Sequence, residues 1–307
     1  MEFNHKSVLL NETIASLNIK PDGIYVDGTA GGAGHSVEIA KKLTSGRLIA
    51  LDKDPDAIAT ATDRLSSYPA NVVRCNFKDF DKALDELNID KIDGMLLDLG
   101  VSSYQLDTAQ RGFSYHKDAP LDMRMSKEGF SAADLVNSAS VQELTDIIRD
   151  YGEEKFAYKI AQNIVRKRQT QKIETTLQLA QIISDSVPFS ARRDAHPARK
   201  TFQALRIAVN DELNDLKEVL DKAFDRLNVG GALSIITFHS LEDRIVKVKF
   251  KEFCTGCTCP PELPICVCGK TPNGRLYTNK PITATDEELK DNLRSRSAKL
   301  RTVIKIK

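Results

Sequence analysis

Gly23-Ile24-Tyr25-Val26-Asp27-Gly28-Thr29-Ala30-Gly31-Gly32-Ala33-Gly34 runs from a short apolar segment straight into a glycine-rich turn. His35 to Leu43 follows with Val37, Ile39, Ala40 and Leu43 at helical spacing. Strand, glycine turn and helix in that order open a parallel α/β unit. The pattern repeats outward from this point. Arg47 to Asp52 predicts a second strand and Asp56 to Leu65 a second helix. Val72 to Cys75 predicts a third strand, followed by an amphipathic Asp79 to Leu87. Asp93-Gly94-Met95-Leu96-Leu97-Asp98 predicts a fourth strand, apolar enough to be buried on both faces.

From Ser102 to Lys200 the alternation stops. Helical patterns cover Val141 to Arg149, Phe156 to Val165 and Leu177 to Val187, with no convincing strand. Leu205, Val209, Leu213, Leu216, Leu220, Phe224 and Leu227 then step by three or four residues, which predicts one long helix ended by Gly230-Gly231. Ala232 to Phe238 and Leu300 to Ile306 predict a fifth and a last strand. The expected architecture is α/β: a doubly wound Rossmann-like sheet with an inserted all-helical subdomain. Residues 1–101 and 201–307 would form the sheet domain, and 102–200 a helical substrate-recognition subdomain. There is no internal repeat.

The 307 residues are 41% hydrophobic and 28% charged, as in an ordinary globular protein. A formal net charge of +1 means that any nucleic-acid-binding surface must be local. No run approaches the length of a membrane span, and the start lacks a signal-peptide core. The expectation is a cytoplasmic protein without a membrane partner.

The glycine turn admits close approach of a ligand where a Cβ would clash. Starting at Gly28, the dinucleotide register Gly-x-Gly-x-x-Gly meets Ala30 at its third position, which disfavours an NAD-dependent oxidoreductase. Asp27 ends the strand before the glycines, as in loops that hold the methionine end of S-adenosylmethionine. Asp52 ends the second strand, where a carboxylate accepts both ribose hydroxyls of a nucleotide. The bland alternative is a tight turn before a helix capped by Asp54 with Pro55 in its first position. After strand three, Phe77 or Asp79 suits an adenine, and equally a core aromatic and a helix cap. Asp98, ending strand four, points to the reacting region of an open α/β sheet, or is simply a polar strand end.

These segments together resemble the MraW-type family of 16S ribosomal RNA cytosine-N4 methyltransferases. The resemblance spans nearly the whole chain. It rests on His5-Lys6-Ser7-Val8-Leu9-Leu10, Asp27 to Ser36, Asp98 to Asp107 and Arg111-Gly112-Phe113-Ser114-Tyr115. It continues through Pro120 to Met125, Tyr151-Gly152-Glu153-Glu154, Thr201 to Arg206, Phe238 to Arg244 and Arg296 to Arg301. The resemblance implies S-adenosyl-L-methionine as cofactor, held by Ala33, Gly34, His35, Asp52, Phe77, Asp98 and Gln105. It implies methylation of the exocyclic N4 of a decoding-centre cytidine. The partner would be small-subunit ribosomal RNA or the assembled small ribosomal subunit. The non-enzyme rival is an RNA-binding ribosome-assembly factor that keeps the cofactor fold without turnover.

Cytosine N4 is a poor nucleophile because its lone pair is delocalised into the ring. An acceptor at the amino hydrogen localises that pair, and Asp98 or a nearby backbone carbonyl is the candidate. Many amino methyltransferases carry Asp or Asn, then Pro-Pro and an aromatic, at this place. Here Asp98 is followed by Leu99-Gly100-Val101, so a stacking aromatic must come from elsewhere: Phe113, Tyr115 or Phe238. Arg166-Lys167-Arg168, Arg192-Arg193 with His196, Arg199 and Lys200, and Arg294, Arg296, Lys299 and Arg301 are basic clusters for RNA, or solvated helix faces. His239 is a cleft residue or a helix cap.

Five of six cysteines crowd one segment: Cys254, Cys257, Cys259, Cys266 and Cys268. Four of them suit a structural zinc site, although the spacing is not the paired Cys-x-x-Cys; unligated thiols are the alternative.

Overall fold

The computed structural model describes residues 6–189, 196–257, 259–260 and 267–307. Two compact units emerge, Met1–Gly100 with Asn214–Lys307, and Val101–Leu213.

The first unit is a seven-stranded sheet in the order β3-β2-β1-β4-β5-β7-β6. Its strands are β1 (Ile24–Asp27), β2 (Arg47–Asp52), β3 (Ala70–Arg74), β4 (Ile92–Asp98), β5 (Leu227–Thr237), β6 (Gly274–Leu276) and β7 (Lys299–Lys305). Strands β1 to β5 pair in parallel, while β7 runs antiparallel to both β5 and β6. Strand order reverses between β1 and β4, so ligands are expected in the crevice at their carboxyl ends.

Side chains of successive strand residues alternate between two faces, and both faces are apolar. Val26, Ile49, Leu51, Met95, Leu97, Leu233, Ile235 and Val303 share one core with α4 (Phe80–Glu86), α11 (Glu212–Arg226) and α12 (Ser240–Phe253). The neighbours Tyr25, Leu48, Ala50, Leu96 and Ala232 share the other with α1 (Leu10–Leu17), α2 (Gly34–Ala40) and α3 (Pro55–Leu65). That is a doubly wound sheet.

The second unit is helical: α5 (Ser103–Asp107), α6 (Ala132–Ser138), α7 (Val141–Asp150), α8 (Ala157–Arg168), α9 (Thr176–Ser186) and α10 (Ala198–Asn210). Val136, Leu144, Ile148, Ile160, Ile164, Leu179, Ile183, Phe202 and Leu205 form its own core. Ser131, Ser140 and Thr175 begin α6, α7 and α9 with capping boxes, which explains their sharp starts.

Three expectations change. The long helix expected from Leu205 to Leu227 is two helices, broken at Asp211 in the left-handed region (φ 52°), and Leu227 itself begins β5. Its apolar steps serve different cores: Leu205 and Val209 pack in the helical unit, Leu216, Leu220 and Phe224 under the sheet. The helical unit therefore reaches Leu213, not residue 200. Gly230-Gly231 do not end a helix but lie inside β5, where the pairing of Ile92 with Leu227 jumps to Gly94 with Ala232. Gly230, at φ 87°, takes up that irregularity. Strand β6 and helices α1 and α13 (Asp286–Asp291) carried no pattern strong enough to be expected from sequence. Among the described residues no helix is long and apolar enough to cross a membrane.

Candidate active site

Asp27, Asp52 and Asp98 end three adjacent parallel strands, β1, β2 and β4, on one rim of the first unit. The glycine turn crosses that rim. A Cβ on Gly28 would fall 2.5 Å from a methyl of Leu97 and 3.1 Å from Cβ of Phe77. The turn thus lies directly on β4 and on the segment after β3. Gly34, opening α2, meets the chain's start: a Cβ there would lie 1.9 Å from Oγ of Ser7.

Each carboxylate has a different setting. Asp27 is 1% exposed and accepts from Ser36 Oγ and from the Thr29 N–H at 3.1 Å. Burial pushes its pKa up to about 6 against these hydrogen bonds. Asp52 accepts from the N–H of Gly31 at 2.8 Å through one oxygen and of Asp54 at 2.8 Å through the other. Burial raises its pKa as well. The turn is thereby tied to the β2 end, with both Asp52 oxygens retaining a lone pair. Asp54 caps α3 and Pro55 begins it, so the capping role holds beside any ligand role of Asp52.

Asp98 has the most unusual setting. Its backbone N–H donates to Thr29 Oγ at 2.6 Å, but its own Oδ1 is buried without a hydrogen-bond partner. Its Oδ2 lies 3.6 Å from Nδ1 of His35, beyond hydrogen-bond reach. Burial, with the nearby charges of Asp27 and Glu242, pushes its pKa up to about 8. His35 is buried, and its Nε2 lies 3.0 Å from the Val8 carbonyl, which turns Nδ1 towards Asp98. A buried orphan acceptor carries a desolvation cost of about 1–3 kcal/mol that an incoming N–H donor removes.

Phe77 sits in a 3-10 turn (Phe77–Asp79) after β3, packed against the sheet core and beside Gly28. Asp79 instead pairs with Lys82 at 2.6 Å. Gln105 belongs to the helical unit, in α5, where its Oε1 accepts the Ser102 N–H at 3.0 Å in a capping box. His239 caps α12: its ring and Glu242 form a reciprocal cap, with Nε2 3.1 Å from a Glu242 oxygen.

Of the three aromatics, Phe113 is only 7% exposed, within the helical core, which removes it as a stacking platform. Tyr115 stacks on His196 with ring centroids 4.5 Å apart. Phe238 follows β5 and lies nearest to Gly100, two residues past Asp98, at 3.6 Å from where a Cβ would stand. The basic clusters divide too. Lys299 and Arg301 grip Asp243 at 3.0 and 2.7 Å, Arg168 donates to the Val136 carbonyl, and Lys200 to that of Glu153. Arg166, Lys167 and Arg296 are exposed, and Arg192 and Arg193 lie outside the described residues.

Sequence reasoning missed Thr29, Ser36 and Glu242. All three act by supporting a carboxylate or shaping its field, a role that depends on which strand ends are neighbours.

Cys257, Cys259 and Cys268 gather with their sulfurs within 4.8 Å of one another. Cys254 is not among them; it packs half-buried against the sheet core. Cys266 lies outside the described residues.

The sequence pattern of the MraW methylase family matches residues 2–306. "Ribosomal RNA small subunit methyltransferase H" of Lachnospira eligens is 58% identical over 311 residues, covering 100% of this chain and 99% of the relative. The protein of that name in Clostridium botulinum (strain Loch Maree / Type A3) is 58% identical over 309 residues and 100% of both chains. "Ribosomal RNA small subunit methyltransferase H 2" of Agathobacter rectalis is 54% identical over 98% of each.

Proposed function

The chain belongs to the MraW methylase family, and from that premise we propose that it methylates the exocyclic N4 of one decoding-centre cytidine in small-subunit ribosomal RNA, using S-adenosylmethionine. The methyltransferase class follows from the family; the target atom and the roles of individual residues are the proposal. The observation that carries it is Asp98 Oδ1, a buried acceptor with no partner at the carboxyl end of β4.

S-adenosylmethionine supplies a methyl group already activated by its sulfonium, so the chain has to position the acceptor and take a proton. The residues on the rim fit that cofactor. Asp52, fixed by two backbone N–H groups, has the lone pairs for ribose hydroxyls. Phe77 offers an apolar face beside the glycine turn, suited to an adenine. Ala33, Gly34 and His35 form the turn and the first residues of α2 against the chain's start. Gln105 is assigned to the cofactor through the family resemblance.

Asp98 then accepts a hydrogen of the cytosine amine, localises the nitrogen lone pair and takes up the proton that methylation releases. An elevated pKa makes it a better proton acceptor once ionised. Phe238, beside Gly100, is our candidate for the aromatic that stacks on the base. The base must be unstacked from its RNA, at a cost of a few kcal/mol, roughly, that stacking and phosphate contacts offset. The helical unit, with exposed Arg166 and Lys167 on α8, is assigned to RNA recognition.

The test is methyl transfer from labelled S-adenosylmethionine to unmodified small-subunit particles and to naked 16S rRNA, with nucleoside analysis. N4-methylcytidine is the expected product. Cofactor binding without incorporation into either RNA would favour the non-catalytic assembly role; a different methylated nucleoside would overturn the target atom.

A further inference from the structure

We propose that Cys257, Cys259 and Cys268 bind a zinc ion that fastens the long connection between α12 and β6. Three thiols from positions 257 to 268 converge with all sulfurs within 4.8 Å of one another. The Cys257 and Cys268 sulfurs are 3.7 Å apart. That is far too long for a disulfide, whose sulfurs are bonded at about 2.05 Å. It matches the edge of a zinc–thiolate tetrahedron: sulfurs about 2.3 Å from the metal stand roughly 3.8 Å from one another. Soft thiolates in a compact loop select zinc over the hard cations. The fourth position of the ion is left to a donor outside this trio, and the proposal does not require Cys266.

The loop supplies a reason for the metal. The described residues of the connection from Thr255 to Pro272 include no helix or strand. Its base is closed by the Asn273 N–H donating to the Phe253 carbonyl at 3.0 Å. The two arms also touch near that base, where a Cβ on Gly256 would sit 3.0 Å from Pro272. This closure brings the two arms together, and beyond it, among the described residues, Cys257 is exposed and Val267 is 78% exposed. A metal held by both arms fastens them to each other, and its binding energy becomes local folding energy.

The ion has a structural role. The catalytic rim faces the first turn of α12, where Glu242 acts on Asp98, whereas the thiols follow the last turn. Fourteen helical residues separate the two by about 20 Å.

The experiment is metal analysis of the full chain purified without chelator, then reconstituted with zinc alone. About one zinc per chain is expected, lost in Cys257→Ser and Cys268→Ser and kept in Cys254→Ser. Cobalt substitution should give the thiolate charge-transfer absorption in the same set of proteins. After chelation, tryptic cleavage at Lys270 should accelerate severalfold while methyl transfer changes little, which separates loop loosening from global misfolding. A wild-type chain that takes up no zinc, or one whose zinc survives in both Cys257→Ser and Cys268→Ser, overturns the proposal.

Discussion

Asp98 makes two opposing demands on its carboxyl group. Its folded pKa of about 8 stands far above the ordinary value of 3.8, so the folded state favours the protonated acid. The stability this provides is complete below the unfolded pKa and is lost as pH rises through about 8. Asp27, raised to about 6, acts in the same direction. Asp98→Asn should therefore gain stability over the wild type as pH rises, by about 2 kcal/mol once partial solvent exposure is discounted, read from melting temperatures on both sides of neutrality. The same variant should lose methyl transfer by about 10²–10⁴-fold in single turnover. On the proposed role of Asp98, ionisation creates the proton acceptor, so transfer should climb with pH and level off above about 8; a flat profile would remove Asp98 as the base. Thr29 tests the support of this residue. Thr29→Val keeps the shape but orphans the Asp98 N–H, so chemical denaturation should show a loss of about 1–3 kcal/mol.

At the scale of elements, two departures from the expected pattern share one cause. Periodicity reports that a face is buried, but not against what. The apolar series from Leu205 to Leu227 keeps helical spacing across Asp211, yet its two parts bury in separate cores. In β5, Gly230-Gly231 resemble a helix stop because glycine marks any place where the backbone leaves the common conformations. Here the left-handed Gly230 carries the extra length of β5 opposite Asp93. A Cβ at Gly230 would meet nothing within 4 Å, so Gly230→Ala isolates the conformational cost. It should destabilise the sheet unit by about 1–2 kcal/mol in urea unfolding, without affecting cofactor affinity.

Over the whole molecule, a net charge of +1 leaves little long-range attraction for RNA. Binding must come from local groups, and the structure thins the candidates. Lys299, Arg301, Arg168 and Lys200 hold the protein together, whereas Arg166 and Lys167 are exposed on α8. Replacing Arg166 and Lys167 with Ala should lower the slope of log Kd against log salt by about 1–2 for small-subunit RNA. Unchanged salt dependence would move the RNA contact away from this helix.

The sequence alone determined the sheet of alternating strands and helices, the three acidic strand ends and the glycine turn between two of them. These are local signals: a strand end, a turn and a helix start are neighbours in the chain, and their residue types are dictated within a few positions. The cofactor roles proposed for Phe77 and Gln105 come from the family resemblance, with position after strand three adding only an even choice for Phe77, because a lone aromatic or amide has no periodicity of its own. Only the tertiary structure decided that Asp98 Oδ1 is buried without a partner, that His35 is turned towards it by the Val8 carbonyl, and that Glu242 adds its field from α12. It likewise decided which three of the clustered thiols share one point in space. Burial and electrostatic coupling depend on which distant segments the fold makes adjacent, and those distances are set by the packing of both sheet faces rather than by any one stretch of chain.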